Sequence, residues 1–98
     1  MEYRIVSVVE REIEIVNEYG LHARPAMQLV ECANQYNSKI EISNGSITVD
    51  AKSIMSVMRL AATKGTLLKI TADGSDADES ADVLVALVEE GFGEMQEQ

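Results

Sequence analysis

The sequence predicts an α+β fold, an open-faced β-sandwich in which a four-stranded antiparallel sheet is covered on one face by three helices. Three observations predict it. Apolar residues alternate with polar ones along four short segments. They recur at spacings of three and four along three others. The segments then follow in the order βαββαβα within 98 residues, a length that fits one domain over residues 1–98. With 46% hydrophobic residues, no tryptophan and one phenylalanine, the core must be built from aliphatic side chains and methionine.

Each element has its own signal. In Val9–Val16, Ile13 and Ile15 lie on one face and Glu12 and Glu14 on the other, as in a half-buried strand ending at the Asn17–Gly20 turn. Residues 1–8 are an N-terminal extension expected to lengthen this strand or fray. A helix starting at Ala23 or Arg24 and running to about Asn34 is marked by Ala23, Ala26, Met27, Val30 and Ala33, with Pro25 in its first turn. Ile40 and Ile42, an Asn44-Gly45 pair able to take positive φ, and Ile47 and Val49 describe a hairpin. A second helix is expected from Ser53 to a stop at Gly65, with Ile54, Val57, Met58 and Ala61 inward and Met55 and Leu60 partly off that face. Leu68 and Ile70 alternate with Lys69 and Thr71 in the last strand. The third helix is expected to start with Ser75 as its N-cap and to bury Ala77, Ala81, Leu84 and Val88. Gly91 and Gly93 should stop it, leaving 94–98 as a frayed tail.

The net charge of −9 argues against a nucleic-acid partner. Its distribution matters more: residues 1–72 carry all eight Lys and Arg and eight acids, so the excess lies in the nine acids from Asp73 onward. One cysteine, Cys32, excludes an intrachain disulfide and is most simply a packing residue. No apolar run is long enough for a membrane span or signal peptide, so a cytoplasmic location without membrane insertion is expected.

The chemistry concentrates in Asn17–Val30, NEYGLHARPAMQLV, which holds the only histidine and the only proline. His22 falls at a helix N-terminus, where unpaired N–H groups and the dipole favour an anion. An imidazole, with an ordinary pKa of ~6.5, is largely neutral and nucleophilic at cellular pH. Arg24 adds a planar donor fork suited to phosphate oxygens. A lone surface histidine is by composition more often an incidental polar residue. A metal site would need more His or Cys ligands, so no metal or cofactor is expected. A glycine-rich phosphate loop is absent from the sequence.

GLHARPA ahead of a helix, SNG at a hairpin, and AKSIMSVMRLAATKG ahead of a strand together resemble the HPr family of phosphocarriers of the bacterial phosphoenolpyruvate:sugar phosphotransferase system, over about Val9–Glu94. The resemblance implies sheet order 1-4-2-3. It implies that His22 accepts a phosphoryl group on Nδ1 from phosphorylated enzyme I and passes it to a histidine of an enzyme IIA domain. On this reading Arg24 stabilises the phosphate, Pro25 fixes the helix start, and the protein is a monomeric carrier, not an enzyme. Ser53 matches the serine modified by HPr kinase/phosphorylase in many members, although an N-cap role accounts for it equally. Ile54, Met55 and Met58 match the family's apolar docking patch, and Lys52, Arg59 and Lys64 would form a basic rim. Gln28 and Glu31 stand on the first helix where many relatives carry lysine. The alternative is a regulatory HPr-like binding module, acting through Ser53 or a nitrogen-type branch, in which His22 transfers little.

Overall fold

The computed structural model describes residues 7–95, and its sheet is built by the alternation seen in the sequence. Strand β1 is Val8–Glu14, β2 Lys39–Ser43, β3 Thr48–Asp50 and β4 Leu67–Asp73. All pairings are antiparallel, in the order β1-β4-β2-β3. Register sets Ile13 opposite Leu68, Ile42 opposite both Ile70 and Val49, and Ile40 opposite Ala72, which gathers the buried residues on one face. Glu12, Glu14 and Lys69 lie exposed on the other face, and Glu41 is half-buried there.

Helices α1 (Ala23–Ala33), α2 (Ile54–Met58) and α3 (Ala77–Glu89) cover the apolar face. Fully buried Ile15, Leu29, Ile42, Ile70, Leu84 and Val88 form the centre of the core, each contributing about 1.5–3 kcal/mol through removal from water. Cys32 packs half-buried against this core, and burial pushes its thiol pKa up, which disfavours the reactive thiolate.

The extension lengthens β1 at Val8, and Ser7 accepts a backbone hydrogen bond from Gly74. Residues 1–6 lie outside the described residues. Several local expectations are corrected. The buried side of α1 is Pro25, Ala26, Leu29 and Ala33, whereas Ala23 and Met27 are exposed. In the hairpin only Gly45 has positive φ, and the Asn44 side chain closes the loop by accepting from Ser46 and Ile47 N–H at 2.8 and 2.9 Å.

Helix α2 ends well before Gly65. Its last turn tightens through i→i−3 bonds from Arg59, Leu60 and Ala61, and Ala61 takes φ +46° and stops it. Leu60 and Ala62 are thereby buried, while Ala61 and Met58 face outward. The N-cap position of α3 is held by Asp76, not Ser75, and its carboxylate reaches across to the chain before β2. It accepts from Asn37 N–H at 2.8 Å, Ser38 N–H at 2.9 Å and the Ser38 hydroxyl.

The Ser38 hydroxyl, followed by the Asn37 N–H, holds the Asp76 carboxyl below its ordinary pKa of 3.8. A depressed folded-state pKa contributes stability that is complete above the unfolded value and is lost as pH falls through the folded one. Asp76→Asn should therefore be less stable than wild type by a constant amount at neutral pH. The gap should close progressively below pH 3.8, as measured by urea midpoints across an acid series. A gap independent of pH down to the acid transition would contradict this.

Candidate phosphoryl-transfer site

The loop before α1 is fixed by backbone bonds to the segment between α2 and β4. Ile15 N–H donates to Thr66 carbonyl at 3.0 Å, Gly65 N–H to Ile15 carbonyl at 2.7 Å, and Leu21 N–H to Ala62 carbonyl at 2.9 Å. Between these anchors Gly20 turns the chain at φ +66°, pressed so close to Ala62 and Thr63 that a side chain has no room. Buried Leu21 then plugs the core and leaves the next residue, His22, at the surface.

His22 is the N-cap residue of α1, in extended conformation, with its carbonyl accepting from Ala26 N–H at 3.0 Å. Its side chain makes no cap bond. Pro25 has no N–H, so the open donors of the first turn are those of Ala23 and Arg24, for which no partner occurs among the described residues. Arg24 is exposed and makes no ion pair or side-chain hydrogen bond among the described residues. The ring, the open end of the helix and the guanidinium side chain meet in one concavity, lined by Glu18, Tyr19, His22, Arg24 and Glu94. Tyr19 stands edge-on to the imidazole with ring centroids 6.3 Å apart.

Two members of this site were not read from the sequence. Glu94, expected to begin a frayed tail, points a carboxylate at the ring: Nε2 of His22 lies 2.9 Å from Oε2 and 3.3 Å from Oε1. Asn17, expected only as a turn residue, is fully buried, and its amide donates to Gly20 carbonyl at 2.8 Å and to Glu94 Oε1 at 2.9 Å. The glycines flanking Phe92 mark the chain reversal that brings Glu94 back, but nothing in the periodicity marks its destination. Residues 96–98 lie outside the described residues.

Ser53 is the N-cap of α2, its hydroxyl accepting from Ser56 N–H at 3.3 Å. Ser53→Ala should cost up to about 1 kcal/mol by chemical denaturation and Ser53→Asp less, because aspartate caps as well. Equal losses for the two would show that the cap contributes nothing.

Met27 on α1 and Met55 and Met58 on α2 are exposed, whereas Ile54 is half-buried against the core. Lys52 is half-buried, with its ammonium donating to Tyr36 carbonyl at 2.7 Å. Arg59 is exposed without an ion pair among the described residues, and Lys64 lies 3.6 Å from Glu18. Among the described residues no cluster of three or more His, Cys, Asp or Glu side chains can hold a metal ion, and no helix is long and apolar enough to cross a membrane.

Residues 9–90 match the family profile PTS-HPr, described as the PTS HPr component phosphorylation site. The chain belongs to the HPr family. Phosphocarrier protein HPr of Cupriavidus necator is 41% identical over 87 residues, spanning 89% of this chain and 98% of that protein. HPr of Pseudomonas aeruginosa is 44% identical over 84 residues, spanning 85% and 93%. The crystal structure of HPr-C-His from Thermoanaerobacter tengcongensis superposes with a TM-score of 0.85 at 43% identity, covering 88% of this chain and 97% of that one. The open sheet with three helices is therefore the HPr fold, and its activity is that of a phosphocarrier in the phosphotransferase system, not of a catalytic enzyme.

Proposed function

We propose that His22 is the residue that carries the phosphoryl group, received from phosphorylated enzyme I and handed to a histidine of an enzyme IIA domain. One observation carries this reading: the imidazole at the N-cap is not used as a cap, and stands exposed beside two N–H groups and an arginine that have no partner among the described residues. Attack by the Nδ1 lone pair forms the N–P bond as the donor's P–N bond breaks and the donor histidine keeps its electron pair. The phosphoryl oxygens then face the Ala23 and Arg24 N–H groups, the positive end of the α1 dipole and the Arg24 guanidinium. Pro25 sets the start of α1 and hence where those donors point.

The exposed methionines at positions 27, 55 and 58 form an adaptable apolar surface that both partners dock against, with Arg59 at its edge. Ile54 contributes only its uncovered side, and Lys52 acts by bracing the start of α2. Ser53 is the residue on which HPr kinase/phosphorylase would act: a phosphate there places negative charge beside this surface and weakens docking. The protein works as a single-domain monomer in the cytoplasm.

The test is a two-step transfer. With phosphoenolpyruvate and enzyme I the protein should gain acid-labile phosphate and lose it on addition of an enzyme IIA domain. Absence of label, or label that no IIA domain removes, would refute the proposal.

A further inference from the structure

The carboxylate of Glu94 arrives at His22 by a route the chain takes pains to build. After α3, Gly91, Phe92 and Gly93 adopt φ of +65°, +57° and +78° in succession. A left-handed conformation is unfavourable for a bulky residue, yet Phe92 holds it with its ring buried in the core. A side chain at Gly91 would collide with Met95, whose Sδ lies 2.7 Å from the position its Cβ would occupy. This reversal leaves the Glu94 side chain only 17% exposed, between the buried Asn17 amide and the imidazole.

We infer that Glu94, held by Asn17, is a positioning residue for phosphoryl transfer that fixes His22 as the Nε2–H tautomer and leaves Nδ1 as the nucleophile. The inference rests on the reading of His22 as acceptor and adds the residue that orients it. An ionised carboxylate only accepts hydrogen bonds, so the proton must sit on Nε2, and no partner occupies Nδ1 among the described residues. The Asn17 amide already donates to Oε1, which fixes the carboxylate and through it the ring plane. When Nδ1 bonds to phosphorus, Nε2 keeps its proton and the ring becomes cationic. The carboxylate 2.9 Å away then neutralises charge that exists only during and after transfer.

Two readouts test this, one of them independent of transfer. In wild-type protein at about pH 8.5, above the ordinary imidazole range, the Nε2 proton of His22 should be visible by 1H–15N correlation because its bond to Glu94 slows exchange with water. In Glu94→Ala that resonance should vanish. The rate of acceptance from phosphorylated enzyme I should fall roughly tenfold, with little change in the concentration of enzyme I giving half-maximal rate. Glu94→Gln, which retains an acceptor but no charge, should keep the resonance and recover only part of the rate. Transfer by Glu94→Ala within twofold of wild type, or an undiminished Nε2 proton signal in that variant, would overturn the inference. Failure of the acceptor reading itself would instead appear as absence of labelling in the wild-type protein, and the proton signal would still report the contact.

Discussion

His22→Ala is expected to abolish acid-labile phosphorylation by enzyme I while changing the stability of the fold by no more than about 1 kcal/mol. The two halves of that expectation come from the same geometry. The imidazole is 42% exposed, makes no capping bond, and contributes nothing to the core that Leu21 and Pro25 fill on either side of it. Glu94 retains its bond from Asn17 when the ring is removed. No other histidine exists in the chain to take over. Phosphate labelling and urea midpoints on one preparation check both parts. Residual acid-labile phosphate comparable to wild type would place the nucleophile elsewhere.

Gly20→Ala carries the largest expected cost to the fold, about 2–4 kcal/mol in urea denaturation. Part comes from forcing a residue with a Cβ to φ +66°. The rest comes from contact with Ala62 carbonyl oxygen and with Thr63 Cα, 2.9 Å from where the Cβ would lie. Relief requires the loop to separate from the segment after α2, which stretches the Leu21 N–H to Ala62 carbonyl bond and moves His22 with it. A displacement of about 1 Å in a reacting group costs on the order of a hundredfold in rate, so transfer should fall even at temperatures where the variant is folded. A folded Gly20→Ala protein with wild-type transfer would mean that this bond does not position the histidine.

What the sequence made legible and what it hid follow from the range of each interaction. The alternation in β4 and the stripe of Ala77, Ala81, Leu84 and Val88 on α3 were readable because burial there is set by local period alone. The buried face of α1 departs from the expected stripe because Met27 and Ala23 are apolar yet exposed, which blurs the helix's polar side and masks buried Leu29. Helix α2 ends earlier than its sequence suggests, since glycine is the usual left-handed stop and here Ala61 takes that conformation instead. Ser75 had the right chemistry for a cap, but Asp76 is held there by Asn37 and Ser38, a contact across the fold.

The site divides the same way. His22, Arg24, Pro25 and the Ser53 cap lie at helix starts with local signals. Glu94 meets His22 across 72 positions of sequence, and Asn17 meets Glu94 across 77. No spacing rule reaches that far. The contact of Lys52 with the Tyr36 carbonyl is hidden for the same reason: the charge is visible in the sequence, its partner 16 positions away is not.

The most direct measurement is the position of the phosphate itself. Protein uniformly labelled with 15N and phosphorylated by enzyme I and phosphoenolpyruvate should show one phosphorus resonance, coupled to Nδ1 of His22, with Nε2 still carrying its proton. A phosphorus resonance coupled to Nε2, or one assigned to Ser53 or any other residue, would contradict the assignment of His22 Nδ1 as the carrier.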